Sequence, residues 1–210
     1  MPLIIDYTPQ HLESGESNPD WMSMRLGRPS SSNASKIVTS TCKISGQRDK
    51  YFKALIDQRM KGRFQPNFKS WRMREGNIAE DDSKTHFEFT YNVKITQVGC
   101  VFYDESKKFL SSPDGLILEW DEGFETKDAD WDIHEDRIKS NTADASHWCQ
   151  CQMGMLCTGY KAWNYRSYSD GMRPLDIKIN RDEKYISMLH RELDKLCIQL
   201  DAKERQLRSL

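Results

Sequence analysis

Residues 112–127 read Ser-Pro-Asp-Gly-Leu-Ile-Leu-Glu-Trp-Asp-Glu-Gly-Phe-Glu-Thr-Lys. Asp114 lies in a Pro-Asp-Gly turn ahead of an apolar run, and Glu125 and Lys127 lie in a second run that favours a strand. Two such runs predict a β-hairpin, which places the Asp114 carboxylate beside Glu125 at the strand ends. Side chains two residues apart leave the same face of a strand, about 7 Å apart. The stretch therefore predicts two carboxylates and one ammonium in one place.

Two converging carboxylates beside a lysine suit metal-assisted hydrolysis of a phosphodiester. Mg²⁺ prefers one or two carboxylates together with waters and substrate phosphate. Lys127 would orient the attacking water and stabilise the pentavalent phosphate, because a mobile ammonium matches phosphate oxygens. The competing interpretation is an exposed hairpin that carries ordinary charged side chains.

Length and composition indicate one domain over residues 1–210, because 210 residues with 37% hydrophobic content can bury one core and no Pro/Gly/Ser-rich linker divides them. The 31 basic and 32 acidic residues nearly cancel, which neither favours nor excludes nucleic acid as a partner. No run is long enough to span a membrane and no secretory signal is present, so we expect a cytoplasmic protein. Its six cysteines lack paired C-x-x-C spacing and should be reduced thiols.

Hydrophobic periodicity predicts both helices and strands, and therefore an α/β fold. The expected helices cover about 34–39, 49–60, 71–89 and 145–158, with a long terminal helix that starts at Asn180 or Asp182. Beyond the hairpin, the expected strands cover 93–103, 161–168 and 174–179.

Three segments are predicted to lack regular structure. Residues 1–20 form an irregular arm, in which Leu3-Ile4-Ile5 can add a short strand. Residues 61–70 form a basic loop. Residues 128–144 are polar and acidic and predict a mobile loop with at most a helical turn, placed as a flap near the site.

Arg25 and Ser32 form a candidate anion site. They flank the start of the helix expected over 34–39, and backbone N–H groups at a helix N-terminus favour anions. An arginine with a hydroxyl beside those groups would complete a phosphate site. The alternative is a surface arginine and a plain serine helix cap.

Glu80, His147 and Gln150 are weaker candidates. Glu80 lies on the helix expected to cross the sheet, but Asp81 and Asp82 beside it indicate a solvated face. His147 and Gln150 share a helix face at three-residue spacing, so Gln150 could hold a phosphate or a metal-bound water. The alternative is a core helix with two hydrogen-bonded polar residues.

Several of these motifs occur together in the order seen in the lambda exonuclease family. They are Arg25-Leu26-Gly27, Ser32, Glu80 ahead of Phe87-Glu88-Phe89, Ser112-Pro113-Asp114-Gly115-Leu116, Glu125-x-Lys127 and Gln150-x-Gln152. By this ordered set the chain resembles the phage-type (YqaJ-like) recombination exonucleases, a branch of the PD-(D/E)xK nucleases.

The resemblance implies a restriction-endonuclease-like fold, with a central mixed β-sheet flanked by helices. It implies a Mg²⁺-dependent exonuclease, with two ions per site and Mn²⁺ as a substitute, that digests one strand of duplex DNA from its 5′ end. It also implies a ring-shaped homotrimer and a single-strand annealing protein as partner. An endonuclease of the same superfamily and a DNA-end-binding recombination scaffold are the alternatives.

The resemblance also implies roles for individual residues. Asp114, Glu125 and the Thr126 carbonyl match the family's metal ligands, Lys127 matches its catalytic lysine, and Glu80 matches a helix carboxylate near the second metal.

Three further residues match the family's substrate and motif positions. Gln150 matches the motif glutamine, and Arg25 with Ser32 matches the 5′-phosphate pocket. The chain departs from the family after the Glu-x-Lys motif, where 128–130 read Asp-Ala-Asp in place of a small residue and proline, and at Thr126, where the family has a large apolar residue.

Overall fold

The computed structural model describes residues 3–64 and 71–210, and for 71–79 the backbone alone. Within these ranges the helices are α1 (Pro19–Arg25), a 3₁₀-helix (Ser31–Lys36), α2 (Arg48–Lys61), α3 (Trp71–Tyr91), α4 (Trp131–Ser140), α5 (Ala145–Thr158) and α6 (Glu183–Arg208). The strands are β1 (Ile4–Asp6), β2 (Cys100–Phe102), β3 (Leu110–Ser111), β4 (Gly115–Ile117), β5 (Glu122–Asp128), β6 (Ala162–Tyr168) and β7 (Leu175–Asn180). Most of the loop predicted over 61–70 lies outside the described residues.

The central sheet is mixed and has the strand order β4-β5-β6-β7. The β4–β5 and β6–β7 pairs are antiparallel, whereas β5 and β6 run parallel. A parallel pair needs a long crossover, which α4 and α5 supply. In this register Glu125 lies opposite Tyr165, and Thr126 lies opposite Arg166. The predicted α/β fold with a central mixed sheet is confirmed.

Three short strands form a second, antiparallel sheet in the order β1-β2-β3. The short strand predicted near residues 3–5 is present as β1, but the strand predicted over 93–103 is shortened to β2. Within the earlier part of that segment, Thr96 exchanges two backbone hydrogen bonds with Leu116, at 2.7 and 2.9 Å. The segment therefore changes its partner along its length and cannot continue as one strand.

The terminal helix α6 carries the apolar stripe predicted from its three- and four-residue spacing, and the whole stripe is fully buried: Tyr185, Leu189, Leu193, Leu196 and Leu200. Asp182 caps the helix, because its side chain accepts a hydrogen bond from the Tyr185 N–H. Arg59 of α2 forms ion pairs with Asp201 and Glu204 of α6, at 2.8 and 3.2 Å. Because it is fully buried, the apolar stripe of α6 forms part of the hydrophobic core.

The N-terminal part of the chain differs from the prediction in two places. Helix α1 begins at Pro19, inside the arm predicted to be irregular over 1–20, and the Asn18 side chain caps it. The helix expected over 34–39 is a 3₁₀-helix over Ser31–Lys36, and its N-cap residue Ser30 makes no side-chain capping bond. Residues 37–39 are all β-branched, which disfavours helix, and Val38 instead forms a β-bridge with Ile44.

The segment predicted as a mobile loop, 128–144, contains helix α4, so that prediction is wrong. The helix is anchored by polar side chains in place of an apolar stripe. His134 and Arg137 are buried and both contact the Ser167 hydroxyl, at 2.8 and 3.1 Å. Trp131 and Ile133, the apolar residues on which a packed helix would depend, are exposed.

Over the described residues, the structure has no helix with the length and apolar character needed to cross a membrane.

Candidate active site

The β4–β5 hairpin brings Asp114 to strand β5. Gly115, the first residue of β4, pairs with Phe124, and no described residue before Gly115 belongs to this strand pair. Asp114 directly precedes Gly115, and its Oδ2 accepts a hydrogen bond from the backbone N–H of Thr126 at 2.8 Å. Asp114 is 9% exposed and Glu125 is 1% exposed. The structure therefore places the two predicted carboxylates at one end of the hairpin, and both are largely shielded from water.

Lys127 lies on the same face of β5 as Glu125. Its Nζ contacts Glu125 Oε1 and lies 3.7 Å from Asp114 Oδ2. The lysine side chain keeps 26% exposure, whereas that of Glu125 keeps 2%. The Lys127 ammonium therefore lies on the solvent side of the cluster, where a substrate can contact it.

Gln150 reaches the cluster from helix α5, and its Nε2 donates to Glu125 Oε1 at 2.5 Å. The helix comes close to the sheet because two glycines leave room for the buried Trp163 ring. A Cβ atom on Gly123 of β5 would lie 2.3 Å from this ring, and one on Gly154 of α5 would lie 2.5 Å from it. Gly154 follows Gln150 by about one helical turn, so this close packing also sets the height of Gln150 above the sheet.

Glu80 lies at the edge of the cluster on helix α3. Its carboxylate pairs with Lys84 at 2.6 Å. Burial, and next the Asp114 carboxylate, raise the pKa of Glu80. Glu80 is thus within electrostatic reach of Asp114, although its contact is with Lys84.

The cluster carries more negative charge than Lys127 alone can offset. Burial, and next the Asp114 carboxylate, raise the pKa of Glu125 to about 8. Burial favours the neutral amine of Lys127, but Asp114 and Glu125 outweigh it and raise the pKa of that lysine. The lysine therefore remains an ammonium, and the buried carboxylates favour the arrival of further positive charge.

The donor atoms fit a magnesium ion. Within the part of the chain that the structure describes, no group of three or more His, Cys, Asp or Glu side chains is arranged as a metal site. Mg²⁺ needs only one or two carboxylates, completed by other oxygens. The N–H and C=O of a strand residue point to the same side, and the Thr126 N–H faces Asp114. The Thr126 carbonyl therefore faces that side too, beyond the last paired residue of β4.

Arg25 and Ser32 are brought together at the end of α1. Arg25 Nη2 donates to Ser32 Oγ at 3.2 Å, and the guanidinium lies 4.4 Å from the centre of the Trp21 ring. Burial lowers the pKa of Arg25, and Glu125 is among the groups that oppose this shift. Because Ser32 lies within a 3₁₀-helix of six residues, the expected contribution of an α-helix N-terminus is absent. The guanidinium and the hydroxyl of the predicted anion site are therefore together, without the helix amides expected beside them.

Four residues near the cluster were not predicted from the sequence. Ser83 of α3 contacts the Thr126 hydroxyl at 2.7 Å, and Arg166 of β6 donates to the Ser83 carbonyl at 3.0 Å. Arg166 is fully buried and forms a bidentate pair with Asp176, at 2.6 and 2.7 Å. Tyr165 lies opposite Glu125. These contacts join distant parts of the chain, and no local pattern signals them.

The fold is similar to that of three solved structures. The alkaline exonuclease LHK-Exo from Laribacter hongkongensis matches with TM-score 0.81 and 24% identity, over 91% of this chain and 97% of that chain. The same protein in complex with dAMP matches with TM-score 0.80 and 23% identity, over the same shares of 91% and 97%. A phage-related exonuclease from Haemophilus somnus 129PT matches with TM-score 0.69 and 12% identity, over 86% and 96%.

These likenesses show a shared PD-(D/E)xK fold, the class to which the mixed sheet and its carboxylate-lysine cluster also point. A family model described as the YqaJ-like viral recombinase domain matches residues 20–161, more than half of the chain. The chain therefore belongs to the YqaJ-like viral recombinase domain family. No curated protein matches the sequence. The resemblance seen in the ordered sequence motifs is confirmed.

Proposed function

We propose that the chain is a Mg²⁺-dependent 5′→3′ exodeoxyribonuclease of phage-type homologous recombination. It would degrade the 5′-phosphorylated strand of duplex DNA and leave a 3′ single-stranded overhang. The observation that carries this proposal is the cluster of Asp114, Glu125 and Lys127 at one end of the β4–β5 hairpin, contacted by Gln150. Family membership and the shared fold support it.

The chemistry follows from the charges in the cluster. Asp114, Glu125 and the Thr126 carbonyl would hold Mg²⁺, and Glu80 would contact a second ion. When bound, the metal would supply an activated water and stabilise the charge on the phosphate. Lys127 would orient that water, because its ammonium stays charged between the carboxylates. Gln150 fixes Glu125 through its amide and would keep the carboxylate from rotating. Mn²⁺ would substitute for Mg²⁺.

Arg25 and Ser32 would select the end of the DNA. A terminal 5′-phosphate carries more negative charge than an internal diester, so a guanidinium and a hydroxyl 3.2 Å apart favour it. The contact of Arg25 with the Trp21 ring holds the guanidinium in place before substrate arrives. Binding the end there would set which phosphodiester bond lies over the carboxylates.

Assembly and partners belong to the same proposal. We expect a homotrimeric ring that encloses duplex DNA, a single-strand annealing protein that takes up the exposed strand, and action in the cytoplasm of a bacterial host. These expectations come from the resemblance of the sequence motifs to the phage-type recombination exonucleases, and the match to a viral recombinase domain supports a role in recombination. Light scattering that reports a monomer at micromolar concentration would contradict the ring.

The alternative is a DNA-end-binding scaffold with weak activity, suggested by the Asp-Ala-Asp sequence at 128–130. The structure argues against disruption there. Asp128 still pairs with Tyr168, and the Ala129 N–H donates to the Tyr168 carbonyl at 3.0 Å. Because the strand runs unbroken past Lys127, the departure leaves the geometry of the cluster intact, and the exonuclease is favoured.

A digestion time course tests the proposal. Linear duplex with 5′-phosphates and intact circular duplex are incubated with the protein, with and without Mg²⁺. An exonuclease removes nucleotides from the linear DNA only, and only with the metal. Cleavage of the circle would indicate an endonuclease of the same superfamily. Binding of linear ends without digestion would indicate the scaffold.

A further inference from the structure

His147 lies on the same face of α5 as Gln150, about one helical turn nearer the N-terminus of that helix. Gln150 reaches Glu125, so this face of the helix looks onto the carboxylate cluster. The His147 side chain is 21% exposed, so the imidazole lies at the rim of the cluster and is open to solvent.

The imidazole is held by groups that belong to the same part of the sheet. Tyr165 lies opposite Glu125 in the β5–β6 register, and its hydroxyl lies 3.2 Å from His147 Nδ1. The two rings stack with centroids 5.7 Å apart and planes 25° apart. Asp144 Oδ2 lies 3.3 Å from the same nitrogen, and Arg137 holds that carboxylate at 2.6 Å. The ring is therefore fixed on its Nδ1 side.

Hydrogen bonding selects the tautomer of His147. Tyr165 is fully buried. Within the described residues, its hydroxyl forms its hydrogen bond with His147 Nδ1. Asp144 Oδ2 lies 3.3 Å from Nδ1 but accepts its hydrogen bond from Arg137, at 2.6 Å, so among the residues that the structure describes Tyr165 is the hydrogen-bonded neighbour of Nδ1. A buried hydroxyl needs an acceptor, so we assign Tyr165 as the donor and Nδ1 as the acceptor, which leaves the proton of the neutral ring on Nε2. Burial, and next the Lys127 ammonium, lower the pKa of His147 to about 4, so the ring is neutral near pH 7. Within the described part of the chain, Nε2 makes no hydrogen bond of its own.

We propose that His147 is a further substrate-contacting residue, whose Nε2–H donates a hydrogen bond to a non-bridging phosphate oxygen of the bound DNA strand. This inference rests on the proposed exonuclease function. Anionic phosphate oxygen is the matching acceptor, because a donor held beside the ion-binding carboxylates meets the backbone of the strand that is being cut.

The test is a phosphate-interference experiment. Single methylphosphonate linkages, which replace one anionic oxygen by a methyl group, are placed in turn at the first linkages of a 5′-phosphorylated strand. The wild type should lose about tenfold in rate at one linkage near the cleaved bond, the size expected for a hydrogen bond to a charged oxygen. His147→Leu keeps the bulk of the side chain without the donor. It should be about tenfold slower on unmodified DNA and show no further loss at that linkage.

Two further variants control the experiment. His147→Gln restores an N–H donor and should recover part of the rate and of the interference. His190→Ala removes an imidazole that packs on Tyr103, with centroids 4.7 Å apart, and should behave like the wild type. If His147→Leu keeps the full interference pattern while the wild type digests duplex, the inference is wrong and the proposed function stands. A wild type that fails to digest linear duplex overturns both.

Discussion

Removing the hydroxyl pair between Thr126 and Ser83 tests how helix α3 is held on the catalytic strand. The two oxygens lie 2.7 Å apart, and the residues are 5% and 1% exposed. Thr126→Val keeps the shape of the side chain but removes its hydroxyl, so the Ser83 hydroxyl loses this partner. Ser83→Ala removes the other hydroxyl, so the Thr126 hydroxyl loses its partner. An unsatisfied buried hydroxyl costs about 1 to 3 kcal/mol. Each single variant should therefore lower the free energy of unfolding by about 1 to 2 kcal/mol.

The double variant should cost less than the sum of the two single variants, because neither residue then keeps an unpaired hydroxyl. The expected coupling energy is about 1 kcal/mol, from urea denaturation followed by circular dichroism. Thr90→Val is the matched control, because the Thr90 hydroxyl lies on the exposed face of the same helix and donates to the His86 carbonyl at 2.7 Å. That change should stay within about 0.5 kcal/mol.

Additive effects in the double variant would refute the reasoning. They would mean that the hydroxyl pair does not fasten α3 to β5, and that the position of Glu80 beside Asp114 depends on other contacts. A loss in Thr90→Val as large as that in Thr126→Val would show that the measurement reports helix propensity instead of the buried contact.

Three other changes have expected outcomes. Asp114→Asn and Lys127→Met should each abolish digestion while circular dichroism shows that the protein stays folded; wild-type turnover in either variant would contradict the site. Arg25→Ala should remove the preference for 5′-phosphorylated over 5′-hydroxyl duplex, by an amount on the order of a charge-assisted hydrogen bond, about 1.5 to 3 kcal/mol, measured as initial rates; equal wild-type rates on both substrates would count against the phosphate site. Because the pKa of His147 falls from 6.5 to about 4 on folding, the unfolded chain binds more protons between those values, and stability is lost as pH falls through that range. His147→Gln should remove this contribution, on the order of 2 kcal/mol, so the change in melting temperature between pH 7 and pH 4.5 should differ between the variant and the wild type in that direction, while the opposite contribution of Glu125 stays in both proteins.

The elements with strong local signals were predicted correctly. Helix α5 runs from Ala145 to Thr158 and ends at Gly159 in a left-handed conformation, as its sequence indicates. Strands β6 and β7 and helix α6 also follow the predicted periodicities. The sequence failed at α4, because hydrophobic periodicity detects helices that bury apolar stripes, whereas this one is anchored through His134 and Arg137.

The sequence by itself determined the hairpin and the shared face of Glu125 and Lys127, because both depend on turn chemistry and the two-residue repeat of a strand. Only the tertiary structure decided which side chains meet them. The contacts join residues far apart in the sequence: Gln150 and Glu125 are separated by 25 positions, Ser83 and Thr126 by 43, and Arg166 and Ser83 by 83. The physical reason is that local spacing fixes the direction of a side chain along its own element, whereas contacts between elements depend on how helices pack on the sheet. Here that packing is set by the Trp163 ring between Gly123 and Gly154.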